Sequence, residues 1–228
     1  MARINEITYD VLEAVKAFTD DSEIDERYII YLYNIKRAKY LRQDLNNYQK
    51  TVDNSIKQTL CLGMELVDMS ECSVDYSCGR ILRSKQPVPT PIELHSKVAI
   101  TSIKPTTRIS LPFNFITKDK AAYIENAPYP NAIYAFIDVD NYIYAYSKAD
   151  DYAILDCITV TGVFEDPLSL ANYSNCCSCG DPIPCFDIDE SSYPLQPHYV
   201  DVIRDEIIRD ILRTYQIPED KQNDATDS

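Results

Sequence analysis

Apolar residues recur at three- and four-residue spacings over the first part of the chain, which is typical of helices with one buried side. The first such run extends from Ile4 to Phe18 and predicts a helix of about four turns. A break at Thr19–Asp21 separates it from a longer run, Asp20–Asn46, that begins almost at once. Two helices joined by so short a link form a helical hairpin.

The long helix has the polar signals expected at its two ends. Ser22 is the predicted N-cap, and Glu23, Asp25 and Glu26 place negative charge in the first turn, where the helix dipole favours it. Further apolar residues fall outside the main stripe, so two interpretations stay open: a core helix, or a helix that also contacts a neighbouring subunit. The stripe that we assign comprises Ile24, Tyr28, Tyr31, Leu32, Ile35, Ala38 and Leu45, and the residues on other sides are Ile29, Ile30, Tyr33 and Tyr40.

The period changes from helix-like to strand-like after Ser55. Apolar and polar residues then alternate over residues 56–67, as they do in a half-buried strand. Residues 70–92 carry Gly and several Pro and predict a loop. The further predicted strands are Val98–Lys104, Arg108–Phe115, Ala132–Asp138, Tyr142–Ser147 and Ile154–Phe164, of which the third and fourth form a hairpin.

The last periodic run predicts a C-terminal helix with Pro197 in its first turn and an apolar stripe formed by Val200, Ile203, Ile207 and Ile211. The predicted fold class is therefore α+β. Its parts are a helical hairpin over residues 1–50, a central antiparallel β-rich body over 51–168, an irregular Cys- and Pro-rich segment over 169–197, a C-terminal helix over 198–217 that packs with the N-terminal helices, and a disordered acidic tail over 218–228.

The excess of acidic residues argues against some classes of binding partner. Acidic residues outnumber basic ones 36 to 22, which gives a formal net charge of −14. This argues against a conventional nucleic-acid-binding protein and against attraction to an anionic membrane. The chain shows no apolar signal region and no run long enough to span a bilayer. We therefore expect its eight cysteines to lie in a reducing cytoplasm, where disulfides are disfavoured.

A cysteine cluster is the strongest candidate for a chemical site. Thiolates are good zinc ligands, but zinc ribbons and fingers need two Cys pairs that lie well apart in sequence. The cluster is crowded, and a second half would have to come from a distant pair. Free thiols, a zinc site and an oxidised pair stay open as interpretations. The cluster comprises Cys176, Cys177, Cys179 and Cys185, and the distant pair is Cys72 and Cys78.

No catalytic arrangement is evident elsewhere. The two histidines, His95 and His198, have no nucleophile motif beside them. The run Asp138–Asn141 resembles a calcium loop but lacks its Gly and distal Glu, so a hairpin turn is the preferred interpretation. With four Gly in the chain, no phosphate-binding loop is present. We assign no catalytic residue, no cofactor and no metal ligand.

A basic cluster stands out in this acidic chain. Its members, Lys36, Arg37, Lys39 and Arg42, all belong to the long helix. They predict either a solvated helix face or a contact with an acidic region of a neighbouring copy or partner.

Three stretches together resemble a known family. They are MARINEI followed by DDSEIDERYIIYLYNIKRAKYLRQDL, the segment Val160–Leu168 (VTGVFEDPL), and the segment Ser191–Leu212 (SSYPLQPHYVDVIRDEIIRDIL). In these stretches the chain is similar to the head-to-tail ring proteins, also called neck, adaptor or connector proteins, of tailed bacteriophages. The similarity is greatest to those of crAss-like phages.

The resemblance implies a non-enzymatic virion subunit that forms a closed ring, with twelve copies as the expected number. The ring would join the portal and capsid to the tail and line the DNA exit channel. Its partners would be further copies of itself, the portal protein and adjacent neck or tail ring proteins. DNA would only pass through, no membrane would be involved, and assembly would occur in the host cytoplasm. The alternative is a small zinc- or thiol-dependent regulatory protein that uses the Cys176–Cys185 cluster.

Overall fold

A computed structural model gives the fold of the chain. It describes residues 3–17, 24–47, 53–68, 80–95, 98–106, 113–121, 123, 132–147, 155–173, 187–188 and 191–214. Four α-helices and seven strands lie within these residues. The helices are α1 (Ile4–Lys16), α2 (Glu26–Asn46), α3 (Lys118–Ala121) and α4 (Pro197–Thr214). The strands are β1 (Gln58–Asp68), β2 (Arg80–Ser84), β3 (Ile100–Pro105), β4 (Phe113–Phe115), β5 (Ile133–Ile137), β6 (Ile143–Tyr146) and β7 (Cys157–Gly162).

The long helix α2 begins later than the sequence indicated. Asp25 is its N-cap, and the Asp25 carboxylate accepts a hydrogen bond of 3.0 Å from the backbone N–H of Arg27. The prediction that Ser22 caps this helix is therefore wrong. The C-terminal helix does begin at Pro197, as predicted, because the missing N–H of proline has no helical partner to lose in a first turn.

The seven strands form one sheet in the order β3-β7-β1-β2-β6-β5-β4. Every neighbouring pair is antiparallel except β4 and β5, which run parallel. The prediction of an antiparallel body is wrong for this one pair. The sheet curls strongly, since its two outermost strands, β3 and β4, approach each other.

The main hydrophobic core of the body lies on the inner side of this curled sheet. Alternate residues of β1, Leu60, Leu62 and Met64, point into it and meet Ile158 and Val160 of β7. Strand β5 is buried on both sides, because its other face belongs to a second cluster that α3 covers at Ala121. The alternation of apolar and polar residues in β1 thus arises because every second side chain of this strand points into the core.

Most predicted strands are present, but one strand was missed. The predicted hairpin is confirmed as β5 and β6, with Asn141 in its turn at a φ of 61°, which asparagine tolerates better than most residues. Strand β2 lies inside residues 70–92, which were predicted to be a loop. It is a full member of the sheet between β1 and β6, so the loop prediction is wrong there.

The helices form a second, separate core. Helix α4 packs against both α1 and α2, and α1 also contacts α2. The predicted stripe of α4 is confirmed, since Ile203, Ile207 and Ile211 are buried among residues of α1 and α2. The three helices therefore make one layer beside the curled sheet, and α2 connects this helical layer to the sheet.

Candidate functional site

The inner side of α2 contains an arginine. Ile29, Tyr33, Arg37 and Leu41 recur every four residues and are all 0 % exposed. Arg37 donates two hydrogen bonds to backbone carbonyls: Nε to Pro194 at 2.8 Å and Nη1 to Phe164 at 2.7 Å. Burial lowers the pKa of Arg37, because the charged guanidinium has left water. These contacts tie α2 to the chain just after β7 and to the chain just before α4.

Two further residues of α2 bind the same segment that follows β7. The Asn34 amide donates to the Asp166 carboxylate at 3.0 Å, and Arg42 pairs with Glu165 at 2.8 Å. Asn34 also accepts a hydrogen bond of 2.7 Å from the Tyr193 hydroxyl. The three stretches singled out in the sequence thus meet at α2, although they are far apart along the chain.

A polar contact joins α2 to α4. Lys36 lies 2.5 Å from a carboxylate oxygen of Asp210 and 3.2 Å from one of Glu206, and Tyr40 donates to Glu206. The hydrogen bond from Tyr40, followed by that from Lys36, lowers the pKa of Glu206. The pKa of Lys36 is raised, mainly by its hydrogen bond to Asp210. The two helices are therefore held by matched charges as well as by apolar packing.

The basic cluster is not one surface. Arg37 lies in the core, Lys36 faces α4, Arg42 pairs with Glu165, and Lys39 is exposed with its ammonium 5.4 Å from the Tyr40 ring. The prediction that these residues form one solvated or partner-binding face is therefore wrong for Arg37. Three of the four basic side chains form hydrogen bonds or ion pairs within the chain.

The apolar stripe assigned to α2 is only partly on the buried side of the helix, where Ile24, Leu32, Ala38 and Leu45 pack against the cores. Three members of that stripe are exposed: Tyr28 at 40 %, Tyr31 at 59 % and Ile35 at 46 %. They follow one another at spacings of three and four residues and therefore share one side, opposite the buried one. We call Tyr28, Tyr31 and Ile35 the outer face of α2. It is an apolar strip with no covering element among the described residues.

The other residues considered for chemistry do not assemble into a site within the described part of the chain. Asp138 and Asp140 accept backbone hydrogen bonds in the hairpin turn, and Lys118 pairs with Asp138, so the hairpin-turn interpretation is confirmed. The backbone N–H of His95 donates to Asn46 at 3.1 Å, and the His198 ring lies against Tyr199.

A cleft of about 510 Å³ opens between residues 90–94 and 98, β4 and the β5–β6 hairpin. Its lining is mainly apolar, with the Lys118–Asp138 ion pair at one side and no His or Cys among the lining residues.

The described ranges contain no candidate metal site and no candidate membrane span. No group of three His, Cys, Asp or Glu residues there is placed to hold a metal ion. The clustered cysteines Cys176–Cys185, and Cys72 and Cys78, lie outside those ranges. None of the helices that the structure describes is both long and apolar enough to cross a bilayer.

The candidate site is thus a surface on a braced helix, and comparison with known proteins shows the family of the chain. Residues 6–228 match the family described as phage tail ring protein 2. The chain belongs to this family. It is also similar to "Ring protein 2" of Bacteroides phage crAss001, with 24 % identity over 225 residues that cover 98 % of this chain and 96 % of that protein.

Membership in the tail ring protein family confirms the resemblance found in the sequence. It makes the chain a structural ring protein of the phage virion, and a ring implies that copies of the chain associate. Sequence reasoning identified α2 as the important element but missed its outer face. The signal was present, because Tyr28, Tyr31 and Ile35 are spaced like one helix side. What the sequence lacked was any indication that this side is uncovered.

Proposed function

We propose that this tail ring protein forms a closed ring in the neck of the virion, where it joins the portal and capsid to the tail and surrounds the DNA exit channel. It acts without catalysis. The observation that carries the proposal is the family match over residues 6–228. The described residues add a physical reason, because they present a braced helix with an uncovered apolar side rather than a chemical site.

The internal contacts of α2 suit a ring subunit. A ring closes only if each copy has the same shape, since small errors in the angle between neighbours accumulate around the circle. The hydrogen bonds of Arg37 and the ion pairs of Lys36 hold α2 to both the sheet and α4. The angle of the outer face relative to the body is thereby fixed.

The net charge suits passage of DNA. A subunit with a formal charge of −14 has little general attraction for a polyanion, so a channel wall built from it would not retain DNA by non-specific contacts. We expect the isolated chain to leave duplex DNA unshifted in a gel at moderate salt, whereas a basic DNA-binding protein of similar size would retard it.

The deciding experiment is a reconstruction of purified virions by electron cryomicroscopy with this chain traced in the density. The expected result is a ring of identical copies, twelve in number, between the portal and the tail, with the chain in contact with the portal protein or an adjacent ring. Placement of the chain in a fibre or inside the capsid, or its absence from virions, would contradict the proposal.

A further inference from the structure

The outer face of α2 combines apolar side chains with positive charge. Tyr28, Tyr31 and Ile35 are exposed, and Arg27 and Lys39 are exposed at the two ends of this strip. Neither Arg27 nor Lys39 forms an ion pair within the described residues. In a chain with a formal charge of −14, an apolar strip flanked by bases is suited to an acidic partner surface.

A surface of the opposite character lies on α1 and α4. Asp10, Asp201 and Asp205 surround Arg204, whose guanidinium nitrogens lie 3.2, 3.6 and 3.3 Å from their carboxylate oxygens. These carboxylates are 63 %, 76 % and 62 % exposed, so three acids share one cation at an open surface. Tyr9 and Val202, next to Asp10 and Asp201 in sequence, are exposed at 64 % and 44 %. We call these six residues the acidic patch.

The two surfaces lie on different sides of the helical layer. Tyr33 is on the side of α2 that is buried against α1 and α4, and at about 100° per residue Ile35 lies about 160° around the helix from it. The outer face therefore points away from the helices that carry the acidic patch. A single copy cannot bring the two surfaces together.

We infer that the outer face of α2 in one copy packs against the acidic patch of the next copy around the ring, which rests on the ring function proposed above. A closed ring needs two unlike surfaces on each subunit, and each must fit the other on the neighbouring copy. The outer face and the acidic patch meet this requirement, because both contain exposed tyrosine and aliphatic side chains and their charges are opposite.

The size of the outer face indicates its place in the interface. From Tyr28 to Lys39 the helix extends over about 17 Å, whereas a stable contact buries about 800 Å² on each partner. The outer face is therefore the apolar centre of a larger contact. Tyrosine and arginine are the residue types on which binding energy concentrates at such centres.

A photo-crosslinking experiment in assembled virions tests this pairing. The full chain would carry Tyr31→p-benzoylphenylalanine, and the matched control would carry the same replacement at Tyr123, a tyrosine that is 70 % exposed and lies just after α3. After irradiation, the Tyr31 variant is expected to shift from the monomer mass of 26.1 kDa to a crosslinked dimer. Peptides from the dimer should join α2 to residues 9–10 or 201–205.

The outcomes separate this inference from the proposed function. A dimer linked at other residues, a crosslink from Tyr31 to a different virion protein, absence of a dimer, or equal dimer yields at Tyr31 and Tyr123 would each overturn the pairing while leaving a ring in the virion. Absence of the chain from purified virions would overturn the proposed function, and the pairing with it.

Discussion

Replacement of Arg37 by methionine tests whether this arginine holds the helical layer to the sheet. Arg37→Met keeps most of the hydrocarbon stem and removes the guanidinium. The backbone carbonyls of Phe164 and Pro194 then lose their donors in a buried environment. Unsatisfied buried acceptors are costly because they have left water without gaining a partner.

The expected loss of stability follows from the two hydrogen bonds. Each hydrogen bond from a charged donor contributes about 1.5–3 kcal/mol, and the variant loses two of them. Part of this loss is offset, because the folded variant no longer keeps a charged group out of water. We therefore expect the free energy of unfolding to fall by about 3 kcal/mol.

Urea unfolding followed by circular dichroism measures this effect. With an m value of about 3 kcal/mol per M, the midpoint should fall by about 1 M. The control is Lys39→Met, which removes a positive charge from the exposed side of the same helix and should change stability by no more than about 0.5 kcal/mol. If both variants unfold at the wild-type midpoint, Arg37 does not anchor α2 and the reasoning is refuted. Because Arg37 is buried and its hydrogen bonds lie within the chain, charge reversal at Arg37 would change folding rather than assembly.

Three further predictions concern other parts of the chain. The buried Tyr33 hydroxyl has no hydrogen-bond partner in the described structure, so Tyr33→Phe should leave the thermal midpoint unchanged or raise it; a fall of several degrees would contradict this. The lowered pKa of Glu206 contributes stability that is present above about pH 4.5 and is lost as the pH falls through the folded-state pKa. In Glu206→Gln, the free energy of unfolding measured with urea should therefore fall less steeply as the pH drops below about 4.5. An unchanged pH dependence would show that Tyr40 and Lys36 do not favour the ionised carboxylate. Purified protein should contain no stoichiometric zinc by elemental mass spectrometry; one zinc per chain that disappears in Cys177→Ser and Cys179→Ser would support the alternative function instead.

Internal contacts and exposed surfaces have different roles in a ring subunit of this family. The contacts of Arg37 and Lys36 are internal, so they set the shape of one copy. The outer face of α2 and the acidic patch remain for contact between copies. Changes at the first group should alter the stability of the monomer, whereas changes at the second should alter assembly.

Much of the secondary structure follows from the sequence alone. The period of α4 predicted its buried residues, the alternation in β1 predicted a strand with one side inward, and the turn at Asp138–Asn141 between two apolar runs predicted the β5–β6 hairpin. These predictions hold because local pattern and burial agree there. Strand β2 was missed because five residues with two arginines, placed between Cys- and Pro-rich segments, carry no such alternation. Only its pairing with β1 and β6 makes it a strand.

The orientation of α2 was decided by tertiary structure. Its sequence established a helix, but Tyr and Ile occur around most of its circumference, so periodicity could not select the inner side. Arg37 is buried because carbonyls 127 and 157 residues away accept its hydrogen bonds, and no local pattern predicts such a pairing. Once Arg37 faces inward, Tyr28, Tyr31 and Ile35 must face outward. The sequence by itself determined which helix matters and which family the chain resembles, while the distant acceptors of one arginine determined which side of that helix is available to a neighbouring copy.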